Sequence, residues 1–203
     1  MTYQPNEQGM IPEEIPEERG LSRYMKIRSQ IKSGDVITWE GKGAVSWLIR
    51  RWSKRSHASM CLKLKDDRRY ILEAWEGEFN MRLLSDRLKN YQGKAFWHQL
   101  NSELNQYRRS IEYSALSLLG VKYDYNSLFA NMLGRVSTNA KKLFCSEAIC
   151  HIFLRSIPLN FLKGYRSNKY ACMMIDGIAL RPGGIAQLPL YLSEKEITGD
   201  IIS

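Results

Sequence analysis

The chain has 203 residues, of which 44% are hydrophobic, 25% charged and 11% aromatic. This composition favours one globular domain with a substantial core and excludes a disordered or fibrous protein. Lys and Arg total 30 against 21 Asp and Glu, giving a net charge of +9, which attracts nucleic acid, anionic lipid surfaces and carboxylate-rich polymers without choosing among them.

The beginning of the chain differs from the rest in composition. Residues 1–20 carry five glutamates and spaced prolines, and such a segment gains too little from burial to offset its ordering entropy. We therefore predict a flexible acidic arm over 1–20 and a single domain over 21–203. An acidic start is unlike a secretory signal, and charges interrupt every apolar run. These features predict a cytoplasmic protein with no transmembrane segment, and leave virion association or specialised export open.

Four segments alternate between apolar and polar residues in the manner of β-strands. Residues 33–41 begin with the turn signal S-G-D and continue as V-I-T-W. Residues 57–64 and 70–77 are separated by the polar run K-D-D-R-R, so we predict a hairpin. Residues 94–100 give a further strand.

Other segments have helical spacing. Residues 44–55 predict a short helix with a basic side, which is a solvated surface or an anion-binding rim. Residues 101–120 carry an apolar stripe, with Asn101 or Ser102 as cap and Gly120 as terminator. A further helix begins at about Cys145 and ends before Pro158, because the residue preceding a proline disfavours helical angles. The tail from 160 to 203 is predicted to be rich in loops.

Cys145 is a candidate nucleophile because of its place at a predicted helix start. A thiol attacks a carbonyl as its thiolate, and the free N–H groups of a helix start, with their partial positive charge, lower a thiol pKa. The same N–H groups could stabilise an oxyanion. The four cysteines show no C-x-x-C pair, so neither a disulfide framework nor a zinc site is indicated, and no metal or cofactor is expected.

His57 is the candidate base for that thiol. It starts one predicted strand of the hairpin, and Glu73 on the other strand is expected to point to the same side. A carboxylate there could orient the imidazole and stabilise its charged form. His151 lies too far around the helix from Cys145, and His98 lies in an aromatic strand that favours a structural role.

Five short motifs occur in order: D-V-I-T-W, H-A, I-L-E-A-W-E-G, G-V-K-Y-D and F-C-S-E. Together they resemble the circularly permuted NlpC-type papain-like amidases, including the YiiX/YaeF-like group, in the superfamily of lecithin:retinol acyltransferase. The resemblance covers residues 33–157. One departure is Ser59-Met60, where members of the family usually have glycine or isoleucine.

The resemblance implies an α+β, permuted papain-like fold, with a small antiparallel sheet or half-barrel packed against helices. It implies Cys145 as nucleophile, His57 as base and Glu73 as the third polar residue. Tyr123 is placed beside the cleft, and Trp39 is a second candidate substrate contact, with core packing as the alternative for both. The expected activity is that of a cysteine amidase, peptidase or acyltransferase.

Several alternatives stay open at this point. The substrate could be a cell-wall peptide or other amide, or a lipid acyl ester, and we expect it to be anionic. A non-catalytic basic module that binds nucleic acid or anionic lipid, or that has a structural role in a virion, is the rival interpretation. Nucleic-acid binding is not favoured, because the sequence contains no recognised nucleic-acid motif.

Overall fold

The computed structural model describes residues 21–42, 54–75, 78–121, 144–178 and 180–199. Within these ranges six strands form one antiparallel sheet in the order β4-β3-β2-β1-β5-β6. The strands are β1 (Val36–Gly41), β2 (His57–Lys63), β3 (Arg69–Trp75), β4 (Glu78–Leu83), β5 (Gly93–Leu100) and β6 (Tyr191–Glu196). The sheet is open, with β4 and β6 at its edges.

Short helices flank the sheet and connect its strands. The α-helices are α1 (Ser22–Ile27), α2 (Leu84–Lys89), α3 (Arg108–Leu116), α4 (Phe144–Ser156), α5 (Leu159–Lys163), α6 (Lys169–Ile175) and α7 (Pro182–Ile185). Two 3₁₀ segments, Arg28–Gln30 and Ser102–Tyr107, precede β1 and α3. Among the described residues, no helix is long and apolar enough to cross a membrane.

The two faces of the sheet bury two separate apolar clusters. Strand alternation divides the side chains between them, because successive residues point to opposite faces. One face, which includes Met60 and Leu62, packs against α3, α4 and the helices that follow. The other face, which includes Ile37 and Ile71, packs against α1 and α2. The sheet is therefore covered on both sides, and the predicted α+β class with helices packed on an antiparallel sheet is confirmed.

Strand β1 lies at the centre and fixes the position of its neighbours. Trp39 is the register partner of both His57 in β2 and Ala95 in β5, and Val36 is the partner of Met60 and His98. The residues of β1 are buried except for the half-buried Glu40, as expected of a strand with neighbours on both sides. The start of β2 is thus held against the middle of the sheet.

A buried carboxylate anchors the turn before β1. Asp35 has no exposed surface and accepts hydrogen bonds from the indole Nε1 of Trp97 at 2.9 Å and the amide of Leu100 at 3.0 Å. It also accepts from the guanidinium of Arg108 at 2.7 Å and from the amide of Lys32 at 3.0 Å. Asp35 therefore joins the start of β1, the end of β5 and the start of α3.

The segment predicted as one helix over 101–120 has a different form. It starts with the 3₁₀ segment, where Asn101 Oδ1 accepts from the Glu103 amide, and α3 ends at Leu116 before a turn to Gly120, which has φ +70°. Residues three apart share a side in both helix types, so the apolar spacing could not distinguish them.

The tail after residue 160, predicted to be rich in loops, contains regular structure. It carries most of α5, all of α6 and α7, and the edge strand β6. The predicted helix over 44–55 and the acidic arm over 1–20 lie outside the described residues, apart from Lys54 and Arg55.

Candidate active site

His57 and Glu73 lie side by side at the diverging ends of β2 and β3. The distance between His57 Nε2 and Glu73 Oε2 is 2.7 Å, and the two side chains are 12% and 0% exposed. The hydrogen bond engages Nε2, and the other ring nitrogen, Nδ1, lies on the opposite side of the imidazole. A histidine held in this way by a carboxylate is oriented and can carry a proton.

This contact lies where the backbone pairing of the two strands stops. The register of β2 with β3 runs from Lys63 opposite Arg69 to Met60 opposite Leu72. His57 lies beyond it on β2, while β3 stays paired with β4 as far as Trp75. The side-chain bond between His57 and Glu73 therefore bridges two strands that have begun to separate.

Two arginines face the second oxygen of Glu73. Arg82 in β4 places a guanidinium nitrogen 3.5 Å from Glu73 Oε1, and Arg87 in α2 places Nε 3.4 Å from the same atom. Burial by itself raises the pKa of the Glu73 carboxyl, but the hydrogen bond from His57 and the charges of His57, Arg87 and Arg82 outweigh burial and lower it. Glu73 is therefore an anion at neutral pH.

Cys145 is the second residue of α4, so its backbone lies in the first turn of a helix, as predicted. Helix α4 contacts β2 and β3, the two strands that carry His57 and Glu73. The body of α4 packs on the Met60 face of the sheet, whereas strand alternation places His57 and Glu73 on the opposite face. The side chain of Cys145 lies outside the described part of the chain.

Trp39 is fully buried beside this pair. Its indole Nε1 donates to Ser59 Oγ at 2.6 Å, and its ring contacts Tyr91 edge-on with a centroid distance of 4.8 Å. A ring with no exposed surface packs within the protein, and this placement favours the packing alternative for Trp39 over a substrate contact. Tyr123 lies outside the described residues.

The other three cysteines are poor nucleophiles. Cys61 and Cys150 are buried, and burial raises the pKa of Cys61 well above its usual value and that of Cys150 to about 12. A hydrogen bond to Asp176 raises the pKa of the Cys172 thiol. All three therefore favour the protonated thiol at neutral pH, and Cys172 provides a partly accessible cysteine for comparison with Cys145.

His98 lies in a polar cluster on the face opposite to His57. Its Nε2 is 2.8 Å from Thr38 Oγ1, which also accepts from Arg55 Nε at 3.0 Å. The Arg55 guanidinium contacts Glu40 and Glu194 as well. His98 is buried, and this lowers its pKa to about 4. It is a neutral structural residue, which agrees with its place in an aromatic strand.

A cavity of about 380 Å³ opens near this end of the sheet, where β1 and β5 pair through Gly41 and Gly93. Its lining includes Lys42, Lys89 and the ring of Tyr91. Tyr91 also packs on Trp39, and Trp39 is the register partner of His57. Tyr91 therefore lies between the cavity and the strand residues that carry the His57–Glu73 pair. Two lysines at its rim would attract a negatively charged group.

The sequence pointed to His57 and Glu73 but not to the two arginines beside them. Arg82 and Arg87 reach Glu73 from β4 and α2, and neither element has a periodic apolar pattern long enough to predict. Among the residues that the structure describes, no group of three or more His, Cys, Asp and Glu could hold a metal ion.

Comparisons with known proteins support the fold. No protein-family model and no curated protein match the sequence. The chain is similar to the crystal structure of the metalloprotein yiiX from Escherichia coli O157:H7, with a TM-score of 0.56 and 15% identity, over 84% of this chain and 98% of that one. At this identity the similarity establishes the fold alone. It confirms a YiiX-like fold for this chain.

Proposed function

We propose that this protein is a cysteine hydrolase or acyltransferase that works through a thioester on Cys145, with His57 as base and Glu73 orienting it. The observation that carries the proposal is the 2.7 Å contact between His57 Nε2 and a buried, ionised Glu73. A carboxylate that holds an imidazole is the usual companion of a nucleophile in acyl transfer. Cys145 supplies the nucleophile from the first turn of the helix that packs against β2 and β3.

The chemistry proceeds in two halves. In the first half, the Cys145 thiol passes its proton to His57 Nδ1 and attacks the carbonyl carbon. The protonated imidazole then gives that proton to the leaving amine or alcohol, and a thioester remains. In the second half, His57 takes a proton from water or an acceptor, which attacks the thioester and restores the thiol. Glu73 stays ionised and stabilises the imidazolium in both halves.

This chemistry requires the start of α4 to lie close to His57. Because α4 packs on the Met60 face, the Cys145 sulfur must meet His57 Nδ1 around the end of β2, where β2 and β3 diverge. The free N–H groups of the helix start can then stabilise both the thiolate and the oxyanion.

The proposed substrate is an amide or ester with an anionic group. Cell-wall peptides, other amides and lipid acyl esters all meet this description. Lys42 and Lys89 at the rim of the cavity would pair with a carboxylate or phosphate on such a molecule, and the net charge of +9 would attract it.

The yiiX protein is called a metalloprotein, so a metal ion has to be considered for this site. His57 and Glu73 are two possible ligands, but the described residues contain no third one beside them. The described residues therefore do not fit a metal centre, and we derive no step through a metal ion.

Thiol labelling tests the proposal directly. We expect iodoacetamide at pH 6 to 7 to alkylate Cys145 at least tenfold faster than Cys172, because only a thiol of lowered pKa is appreciably ionised there. In His57→Gln the Cys145 rate should fall towards that of Cys172. Peptide mapping by mass spectrometry gives both rates from one sample, and intact-mass analysis with amide and ester substrates then detects the acyl adduct.

Two variants complete this experiment. Cys172→Ala should leave the labelling of Cys145 unchanged, whereas Cys145→Ala should abolish any acyl adduct. Equal labelling of Cys145 and Cys172, with no effect of His57→Gln, would overturn the proposal. That result would favour the rival interpretation, a non-catalytic basic binding module.

A further inference from the structure

The guanidinium of Arg87 lies between two aromatic rings and the Glu73 carboxylate. Its central carbon is 5.1 Å from the ring centroid of Trp39 and also 5.1 Å from that of Tyr91. The two rings meet edge-on at 72°. A guanidinium within about 6 Å of an aromatic face is attracted by the ring, so Trp39 and Tyr91 restrict where this charge can be.

We infer that Arg87, held by Trp39 and Tyr91, tunes the proposed catalytic histidine, because its fixed positive charge acts on the Glu73 carboxylate that binds His57. The inference rests on the proposed function and adds a connected set of contacts to it. The Trp39 ring contacts the Arg87 guanidinium, Arg87 forms an ion pair with Glu73 Oε1, and Glu73 Oε2 is hydrogen-bonded to His57. This set gives Trp39 a role in the site without any contact to substrate.

Arg87 has more influence on Glu73 than Arg82 does. Both lie at about the same distance from Glu73 Oε1, 3.4 and 3.5 Å, but the Arg87 side chain is 18% exposed and that of Arg82 is 46% exposed. Solvent and salt screen an exposed charge more than a half-buried one. The short helix α2 and the two rings also hold Arg87 in place, whereas Arg82 is on an edge strand.

The charged groups around Glu73 fix the sign of the expected effect. Among the described residues they are His57 from β2, Arg82 from β4 and Arg87 from α2, with Tyr91 close behind Arg87. A nearby cation disfavours protonation of the His57–Glu73 pair. Removing the charge of Arg87 should therefore raise the pKa of His57 and shift the acid side of any activity profile to higher pH.

The test measures the pKa of His57 by NMR titration of the full chain in wild type and in Arg87→Met, which keeps a long apolar side chain beside the two rings. We expect the His57 pKa to rise by about one pH unit in Arg87→Met. Arg87→Lys keeps the positive charge, so its His57 pKa should lie close to that of wild type. Arg82→Gln should raise the pKa by a smaller amount.

The control removes a charge elsewhere. Arg166 pairs with Asp176 on the surface at 2.8 Å, and Arg166→Met should leave the His57 titration unchanged. A folded Arg87→Met protein whose His57 titrates as in wild type would overturn the inference. The titration does not depend on catalysis, so a failed labelling experiment at Cys145 beside a shifted His57 pKa would reject the proposed function and keep the effect of the Arg87 charge on His57.

Discussion

The two histidines of the sheet, the half-buried His57 and the buried His98, have opposite surroundings. His57 is paired with an ionised carboxylate that two arginines also face, so its protonated form has a stabilising partner. His98 lies against the neutral hydroxyl of Thr38, with Arg55 bonded to the same oxygen. Burial chiefly lowers the pKa of His98, the charge of Glu194 opposes that effect, and the charge of Arg55 adds to it. Because both residues are histidines, it is their surroundings that distinguish the candidate base from the structural residue.

His98 should make the fold sensitive to acid. Its pKa is about 4 in the folded chain and about 6.5 in an unfolded one. Because the unfolded chain binds the proton more readily, the stability that neutral His98 contributes to the fold is fully present above about pH 6.5 and is lost as the pH falls to about 4. The free energy of unfolding should fall by about 3 kcal/mol over this range. His98→Gln should remove most of this pH dependence.

Urea unfolding at pH 7, 5.5 and 4.5 measures this effect. His151 is exposed, and His151→Gln should keep the pH dependence of the wild type. If His98→Gln and wild type lost stability in parallel over this range, the acid sensitivity would have to come from other groups.

At the scale of elements, four strands could be predicted and two could not. The strands β1, β2, β3 and β5 alternate clearly because they lie inside the sheet and bury one or both faces. The edge strand β6 has mostly exposed side chains, and β4 has just one buried residue, so neither shows a strong apolar pattern. An edge strand is recognised by its neighbour, which the local sequence does not reveal.

The candidate site divides in the same way. His57 and Glu73 could be predicted because neighbouring strands of a hairpin place residues of matching parity on one face. Arg87 could not, because its contact with Glu73 depends on how α2 packs on the sheet. The six residues of α2 span fewer than two turns, which is too short for a helical period to be recognised.

Asp35 joins the start of β1 to the end of β5 and the start of α3, so its replacement should be costly. In Asp35→Ala, the buried indole of Trp97, the amide of Leu100 and the charge of Arg108 all lose an acceptor. Removing one partner of a buried ion pair costs on the order of 3–5 kcal/mol. We expect the free energy of unfolding to fall by about that amount, as measured by urea denaturation.

The matched control for Asp35→Ala is Asp66→Ala. Asp66 is exposed, with its contacts to Tyr70 and Arg68 on the surface, so this change should alter stability by about 0.5 kcal/mol or less. Comparable losses in the two variants would show that the carboxylate of Asp35 does not hold β1, β5 and α3 together.

At the scale of the whole molecule, Arg55 ties distant parts of the chain together. Its guanidinium reaches Glu40 in β1 and Glu194 in β6 and lies 3.8 Å over the ring of Phe96 in β5. The next residue, Ser56, donates to the Trp39 carbonyl through both its amide and its hydroxyl. Arg55 and Ser56 thus fix the backbone immediately before His57.

Replacing Arg55 should weaken the fold and disturb His57 together. In Arg55→Met, Glu40 and Glu194 lose their shared cation; because Glu194 is 46% exposed and keeps much of its hydration, we expect a loss on the order of 2–3 kcal/mol. Thermal and urea unfolding measure this loss, and the NMR signal of His57 reports the local change. Arg155 is exposed, so Arg155→Met should match wild type in both measurements. If Arg55→Met also matched wild type, Arg55 would not connect these strands or position His57.

The contact between Arg55 and Glu194 also has a consequence for folding during synthesis. The two residues are 139 positions apart, so at about 5 to 20 residues per second the ribosome needs roughly 7 to 30 s to add Glu194 after Arg55. When β5 is complete at Leu100, the nascent chain has its first five strands, but the Arg55 guanidinium still lacks the Glu194 carboxylate. The edge of β5 stays unpaired from then until β6 is added, so stalled chains that end before β6 should be the ones that aggregate or recruit chaperones.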